Sequence, residues 1–539
     1  VTDLADRIQM QHRLFAELSD LFGREVPMYD TSLLVNRLCN RTVGALLEAM
    51  FDGFSLSDVQ LDRTSGERHG AIRIGRPDEY RWIGRFFAQF AMEPHNFFDM
   101  ANVGAKSQPI VATAFRSIEN PEHRVFCSLL LTEYFEDATR ARIETVLATR
   151  QVFSDRAKEL IEQGEREDGL AWPDAQALIQ EGVERIFKWT GRARDHALYK
   201  ELCDGGFKIA ADIACFERHH LNHLTPNTLC MDLYTTAMKR CMGEIDARAF
   251  TERAERALSD LERMADHDWM HLHFKHVDAE SIDAWPRSPA PAELTRRLVR
   301  ELAERLAQPM ADLAAICHSG FKDSTEGPSD DTPVLLRQDA YRALPETVIF
   351  TNADGSTTEA VHTARFGEIE QRFYAVTRAG RTLYDACLER AEAERAKDPS
   401  LARRDHAAAQ AAYREAFAPF PKTLMELVEK GLVHVRYRPT QKGLAAKGSL
   451  KRSELRELLR DGVIGMDGLR YEDFLPVSAA GIFASNLNQY GTRATAANRP
   501  AYTQARLEEV LDRKIIDSEQ EYRELESRSI EETLAALGL

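Results

Sequence analysis

The sequence has no Cys-x-x-Cys pair; its eight cysteines (39, 127, 203, 215, 230, 241, 317 and 387) are scattered. That spacing excludes a zinc ribbon and a disulfide framework, and it fits a reducing compartment. No apolar run is long enough to span a bilayer, so no membrane partner is expected. Basic residues are outnumbered: 70 Lys and Arg face 86 Asp and Glu, a net charge of −16. Nucleic acid is thereby excluded as a partner, whereas a small anion held by one local arginine is not. The first residues, Val-Thr-Asp-Leu-Ala-Asp-Arg, lack the basic-then-apolar order of a signal peptide, and the expected location is cytoplasmic. No internal repeat stands out.

What is present is an ordinary globular composition, 44% apolar and 29% charged, over 539 residues. That length calls for several structural units. Apolar periodicity, proline and glycine breaks and charge runs divide the chain into a helical N-terminal cover (1–60), a first site half with a helical segment (61–242), an inserted helical unit (243–330), a second site half (331–390), a helix with a pocket-closing part (391–500) and a C-terminal helix (501–539). Alternation also reads Phe207–Cys215 and the following His219–Thr225 as strands. The oligomeric state is not legible.

Chemistry concentrates in Arg365-Phe-Gly-Glu-Ile-Glu-Gln-Arg372. Read as a strand, period-2 alternation sets Phe366, Glu368, Glu370 and Arg372 on one face. Two buried carboxylates and an arginine are costly unless a metal or a partner compensates them. Histidines can arrive from two other places, His69 in a strand-like run (66–75) and His223 in His219-His-Leu-Asn-His-Leu-Thr-Pro226. Arg73 shares the face of His69, and its planar fork suits a carboxylate. The same Arg73 could instead pair with a carboxylate on a neighbouring strand. A lone histidine is more often structural than metal-bound, so only the joint arrangement carries weight. A rival cluster, His267, His271, His273 and His276, has an i, i+4 pair but no glutamate partner, and reads as a solvated face.

Five segments together resemble the 2-oxoadipate dioxygenase/decarboxylase (hydroxyglutarate synthase) family: Glu-Arg-His-Gly-Ala-Ile-Arg (67–73), Asn-His-Leu-Thr-Pro (222–226), Leu-Leu-Arg-Gln (335–338), the 365–372 stretch and Leu-Pro-Val-Ser-Ala-Ala-Gly-Ile-Phe (475–483). The resemblance runs from Arg24 to about Tyr490 and is weakest over the inserted helices. It implies an α+β fold of vicinal-oxygen-chelate-like βαβββ modules, curled as a mixed sheet around a metal, with extensive added helices. It also implies non-haem Fe(II), O2 and oxidative decarboxylation of 2-oxoadipate to 2-hydroxyglutarate in lysine breakdown. Carried over by position, His69, His223 and a glutamate of 365–372 hold iron, Arg73 takes a substrate carboxylate, and Val477 and Ser478 meet the far end of the substrate. Gly75 falls near a position tied to substrate choice. Related oxygenases carry Glu-x-x-Gln-Arg at the ligand; here that order is Glu368-Ile-Glu-Gln371-Arg372, which favours Glu368 and leaves Glu370 and Arg372 as supports behind it. Two other readings remain at this stage: a metal-dependent isomerase or hydrolase on the same fold, and a metal-free binding protein.

Overall fold

The structure is a computed structural model that describes residues 4–66, 68–102, 107–117, 122–322, 325–363, 365–450, 454–475 and 501–539. It is a mixed α+β architecture of small sheets among many helices, with no closed barrel among the described strands. No described helix is long and apolar enough to cross a membrane.

The strands, in chain order, are β1 (Arg68–Ile74), β2 (Glu93–Asp99), β3 (Ile110–Arg116), β4 (His123–Leu130), β5 (Arg192–Arg194), β6 (His223–Pro226), β7 (Leu336–Ala340), β8 (Glu346–Thr351), β9 (Thr357–His362), β10 (Glu368–Arg372), β11 (Val435–Pro439) and β12 (Ile464–Gly468). The largest sheet has the order β2-β3-β4-β1-β6; β1 runs parallel to β4 and antiparallel to β6. The pair β10-β7 is antiparallel. It lies alongside β6 through a parallel bridge between Asn227 and Glu370, with Thr228 N donating to Glu370 O at 2.8 Å.

Register decides which side chains meet. His69 sits opposite Thr225 and Arg124, Ala71 opposite His223 and Phe126, and Arg73 opposite Ser128. Because successive side chains alternate, all of these share one face. On the reverse face, Ile72, Ile74, Val125, Cys127, Leu129 and Leu224 enter the main apolar core. Alternation therefore places the polar side chains of the site on one face of β1, β4 and β6 and backs them with apolar core on the other.

The helices before the first strand are set by local signals. Asp6 caps helix Arg7–Glu25 by accepting from Gln9 N, and Pro27 starts the next helix, Pro27–Met50, at a position that needs no N–H. This second helix reaches the sheet edge. Asn36 donates to Asn227 O at 2.9 Å, and Asn40 accepts from Leu229 N at 2.8 Å, so the turn after β6 is pinned beside β10. Helices Ala247–Met264 and Leu294–Arg305 bury Leu258, Leu261, Leu298 and Leu302 in that same core.

One expectation fails here. Residues Lys208–Cys215 form a helix, not a strand, and regular pairing after it begins only at His223. A short run buried on every side, such as Ile209-Ala-Ala-Asp-Ile-Ala-Cys215, has no polar face to set a period, so alternation cannot separate the two forms. The alanines then favour helix. The consequence is local but large: Asp212 is carried on a helix packed against β1.

Candidate metal centre

His69 on β1, His223 on β6 and Glu368 on β10 come together, each offering a donor atom, with those atoms all within 4.8 Å of one another. It is the one such His/Cys/Asp/Glu group among the described residues, and all three members are buried. His69 Nε2 lies 3.3 Å and His223 Nε2 3.6 Å from Glu368 Oε2. The imidazole planes are nearly perpendicular, with centroids 5.4 Å apart.

The donors are held from behind. His69 Nδ1 lies 2.8 Å from Glu370 Oε2, so a proton on Nδ1 donates to that carboxylate and Nε2 is left facing Glu368. Glu370 is fixed in turn by Arg372, whose Nε and Nη2 donate at 2.8 and 2.9 Å, and by Arg124 Nη1 at 3.6 Å. Arg372 Nη1 also donates to the carbonyls of Tyr471 and Asp473. Glu368 Oε2 accepts from Thr225 Oγ1 at 3.1 Å and from Gln338 Nε2. Rings close the walls: Phe366 stacks on His223 at 5.1 Å, and Phe474 meets His69 edge-on at 5.0 Å.

The residues present fit a bound cation. Both ring nitrogens of His223 and Oε1 of Glu368 are buried with no hydrogen-bond partner among the described residues. Unsatisfied buried donors and acceptors are costly, and a metal would use these lone pairs. Burial, with the positive charges of His69, Arg73 and Lys322, pushes His223 down to about 4 against the opposing pull of Glu368, which keeps it as the neutral imidazole a metal requires. Burial alone would raise Glu368 and Glu370. His223, His69 and Lys322 bring Glu368 below the ordinary carboxylate value, and Arg372, His69 and Arg124 bring Glu370 well below it. Lys322 is buried as well, 5.7 Å above the Phe366 ring, and burial pushes it down to about 8.

Arg73 lies on the expected face, and its Nη1 donates to Asp212 Oδ2 at 2.5 Å. The simpler alternative, a carboxylate on a neighbouring strand, is thus corrected: Arg73 has a carboxylate partner, but it comes from the helix Lys208–Cys215. Gly75 backs onto Leu147 and Arg150: a Cβ there would stand 2.4 Å from Leu147 Cδ2 and 2.7 Å from Arg150 Nη2. Val477 and Ser478 lie outside the described residues. The rival histidines do not converge, and the solvated-face reading of them is corrected. His267 Nε2 faces Trp285 O, His271 Nε2 faces Asp283, His273 is buried in a stack on Trp269, and His276 Nε2 faces Glu122. Each side chain is taken up by a different partner, so no common point for a cation is left between them.

Sequence reasoning passed over Thr225 and Gln338, which hold Glu368, and Phe474, which packs on His69. Both polar residues stood inside quoted segments, on strands buried along their whole length, and their place in those segments was the available signal.

The comparisons with known proteins agree with this geometry. The family described as 2-oxoadipate dioxygenase/decarboxylase matches residues 14–257 and 303–486. A 2-oxoadipate dioxygenase/decarboxylase of Pseudomonas putida is 33% identical over 537 residues, covering 97% of this chain and 96% of the relative. The enzyme of that name from Escherichia coli is 31% identical, with 97% of each chain covered. The crystal structure of the Pseudomonas putida hydroxyglutarate synthase in complex with 2-oxoadipate superposes with a TM-score of 0.69 at 30% identity, covering 100% of both chains. With most of its length matched and its polar strand face assembled around two imidazoles and a carboxylate, this chain belongs to the 2-oxoadipate dioxygenase/decarboxylase family.

Proposed function

We propose that the chain converts 2-oxoadipate and O2 to 2-hydroxyglutarate and CO2, using Fe(II) held by His69, His223 and Glu368. The atoms balance: the substrate loses one carbon as CO2, and the two oxygen atoms of O2 enter the products. The observation that carries the proposal is the convergence of two imidazoles and one carboxylate, buried and otherwise unsatisfied, in a member of this family. Two histidines and a carboxylate on one side of a ferrous ion leave open positions for a chelating 2-oxo acid and for O2, and the ion supplies the redox chemistry.

The protein's own residues bind, orient and exclude water. Glu370 keeps the proton on Nδ1 of His69, and Thr225 and Gln338 hold one oxygen of Glu368 so that the other remains available. Arg73 neutralises and aligns a substrate carboxylate rather than moving a proton. Phe366, Phe474 and Phe126 keep the face apolar around the reacting carbon. The reading extends to Val477 and Ser478 at the far end of the substrate, and to Gly75 as a position affecting which oxo acid is accepted.

We read the fold as vicinal-oxygen-chelate-like, with β1, β6 and β10 curling one polar face around the ion. Support comes from the bridge that continues β6 into β10. A cytoplasmic location fits eight cysteines that are all free.

Oxygen uptake and CO2 release should be measured on protein loaded anaerobically with Fe(II), across a panel of 2-oxo dicarboxylates. Coupled uptake and release, greatest with 2-oxoadipate, is the expected result. Turnover of a substrate without oxygen uptake would instead favour a Lewis-acid isomerase or hydrolase, and protein without stoichiometric metal a binding role.

A further inference from the structure

The helix Lys208–Cys215 carries a carboxylate that the reaction above does not use. Asp212 is buried, and its two oxygens have different partners. Oδ2 accepts from Arg73 Nη1 at 2.5 Å. Oδ1 faces two imidazoles, His220 Nε2 at 3.3 Å and His362 Nε2 at 3.5 Å. His362, the last residue of β9, is addressed on its other side by Tyr199, whose hydroxyl is 2.9 Å from Nδ1. A hydroxyl donating to Nδ1 puts the ring proton on Nε2, the edge that faces Asp212 as an electrostatic neighbour rather than through a formed hydrogen bond. Trp189 locks both rings, edge-on to His220 at 4.6 Å and stacked on His362 at 5.9 Å.

The helix itself is anchored. Arg150 Nη1 donates to the carbonyls of Ile213 and Phe216 at its C-terminal end, while its Nε and Nη2 hold Glu79. Asp212 is therefore tied from several directions and Arg73 is the longer, more adaptable partner. A guanidinium on a flexible stem loses orientation readily, and a bond to a fixed carboxylate favours one edge of the fork.

We propose that Asp212 is a positioning residue for Arg73, with Tyr199 and His362 holding Asp212 in place. This rests on the reading of Arg73 as the carboxylate-binding group. A purely structural salt bridge would be a poor use of this site, since a buried ion pair adds little stability over apolar packing. Here three further polar side chains are buried around it, four residues from His69 on the same strand face.

The test compares Asp212→Asn, Arg73→Lys and the double variant as iron-loaded enzymes, reading KM and kcat for 2-oxoadipate, iron stoichiometry and Tm. Asp212→Asn should raise KM by about tenfold with iron content intact, and should change KM less than about twofold in the Arg73→Lys background. Additive effects, or loss of iron and Tm in step with turnover, would overturn the proposal. Arg73→Lys raising KM while Asp212→Asn leaves it unchanged sinks this inference alone; Arg73→Lys leaving KM unchanged sinks the reading of Arg73 and this inference with it. If Asp212→Asn is not recovered folded, Tyr199→Phe takes its place: a KM raised by about two- to fivefold supports the chain of contacts, and an unchanged KM overturns it.

Discussion

The His69 imidazole is held at both nitrogens, by Glu370 behind and toward Glu368 in front, and this division of labour makes separate predictions for the two glutamates. Glu370→Gln retains a hydrogen-bonding group but no longer enforces the Nδ1 proton, and metal affinity should fall about 10- to 100-fold, measured by competition with a chelator. His223→Ala removes a donor outright, so iron should no longer co-purify stoichiometrically. If that variant keeps its iron and turnover, the site is misassigned. The meeting of His69, His223 and Glu368 was legible because two distant segments carried histidine on strand-like alternation and one carried paired carboxylates. Asp212 was not legible, because a helix buried all round gives no period to read. Gln338 was quoted within its segment and left without a role, since an amide's partner depends on a strand it meets only in space.

Among the elements, the helix Lys208–Cys215 and the helix Pro77–Ala88 that follows β1 are joined through Arg150 and Glu79, with Glu79 Oε2 2.6 Å from Arg150 and 3.3 Å from His219. Burial would raise Glu79, but Arg150 and His219 outweigh it and hold its carboxyl far below the ordinary value; burial lowers His219. The sign follows from linkage. A depressed carboxylate contributes stability that is complete above its unfolded value of about 4.3 and is lost as pH falls through the folded value. A depressed histidine does the same below about 6.5. Tm should therefore fall below about pH 6.5 through His219, and fall further below about pH 4.3 through Glu79. Glu79→Gln should lower stability at pH 7 by about 3–5 kcal/mol, because Arg150 is left buried without its counter-charge, and should flatten the acid limb of Tm against pH. Gly75 adjoins the same arginine. Gly75→Val should displace Arg150 and Leu147 and shift the preference between oxo acids of different length, read as a change in kcat/KM ratio across a substrate panel, with iron content unaffected. The helices within 1–60 and within 243–330 were readable from periodicity and proline breaks. The joining of β10 to β6 was not, because a single bridge and one hydrogen bond leave no trace in composition.

Over the whole molecule, three apolar cores meet around one polar strand face, and helix Ser518–Leu537 ties the third of them to the metal centre. Tyr522 accepts from Glu472 N at 2.8 Å and donates to Asp473 Oδ2 at 3.2 Å, while Ser518 Oγ donates to Asp473 Oδ1 at 3.0 Å. The segment they hold supplies Phe474 against His69 and the carbonyls that orient Arg372. Tyr522→Phe should cost about 1–3 kcal/mol through unpaired buried groups and should weaken iron binding. Glu524→Ala on the exposed side of the same helix should change neither. Occupancy matters at this scale as well: metal at 100 times its dissociation constant should stabilise the fold by about 2.7 kcal/mol, so stripping it with a chelator lowers Tm. The separation between His69 and Glu368, 299 residues, also has a temporal meaning. At about 5–20 residues per second, a ribosome delivers the second of these about 15–60 s after the first. Throughout that interval the nascent imidazole waits without its acid, so the three-donor group cannot assemble on a chain that has not yet reached residue 368.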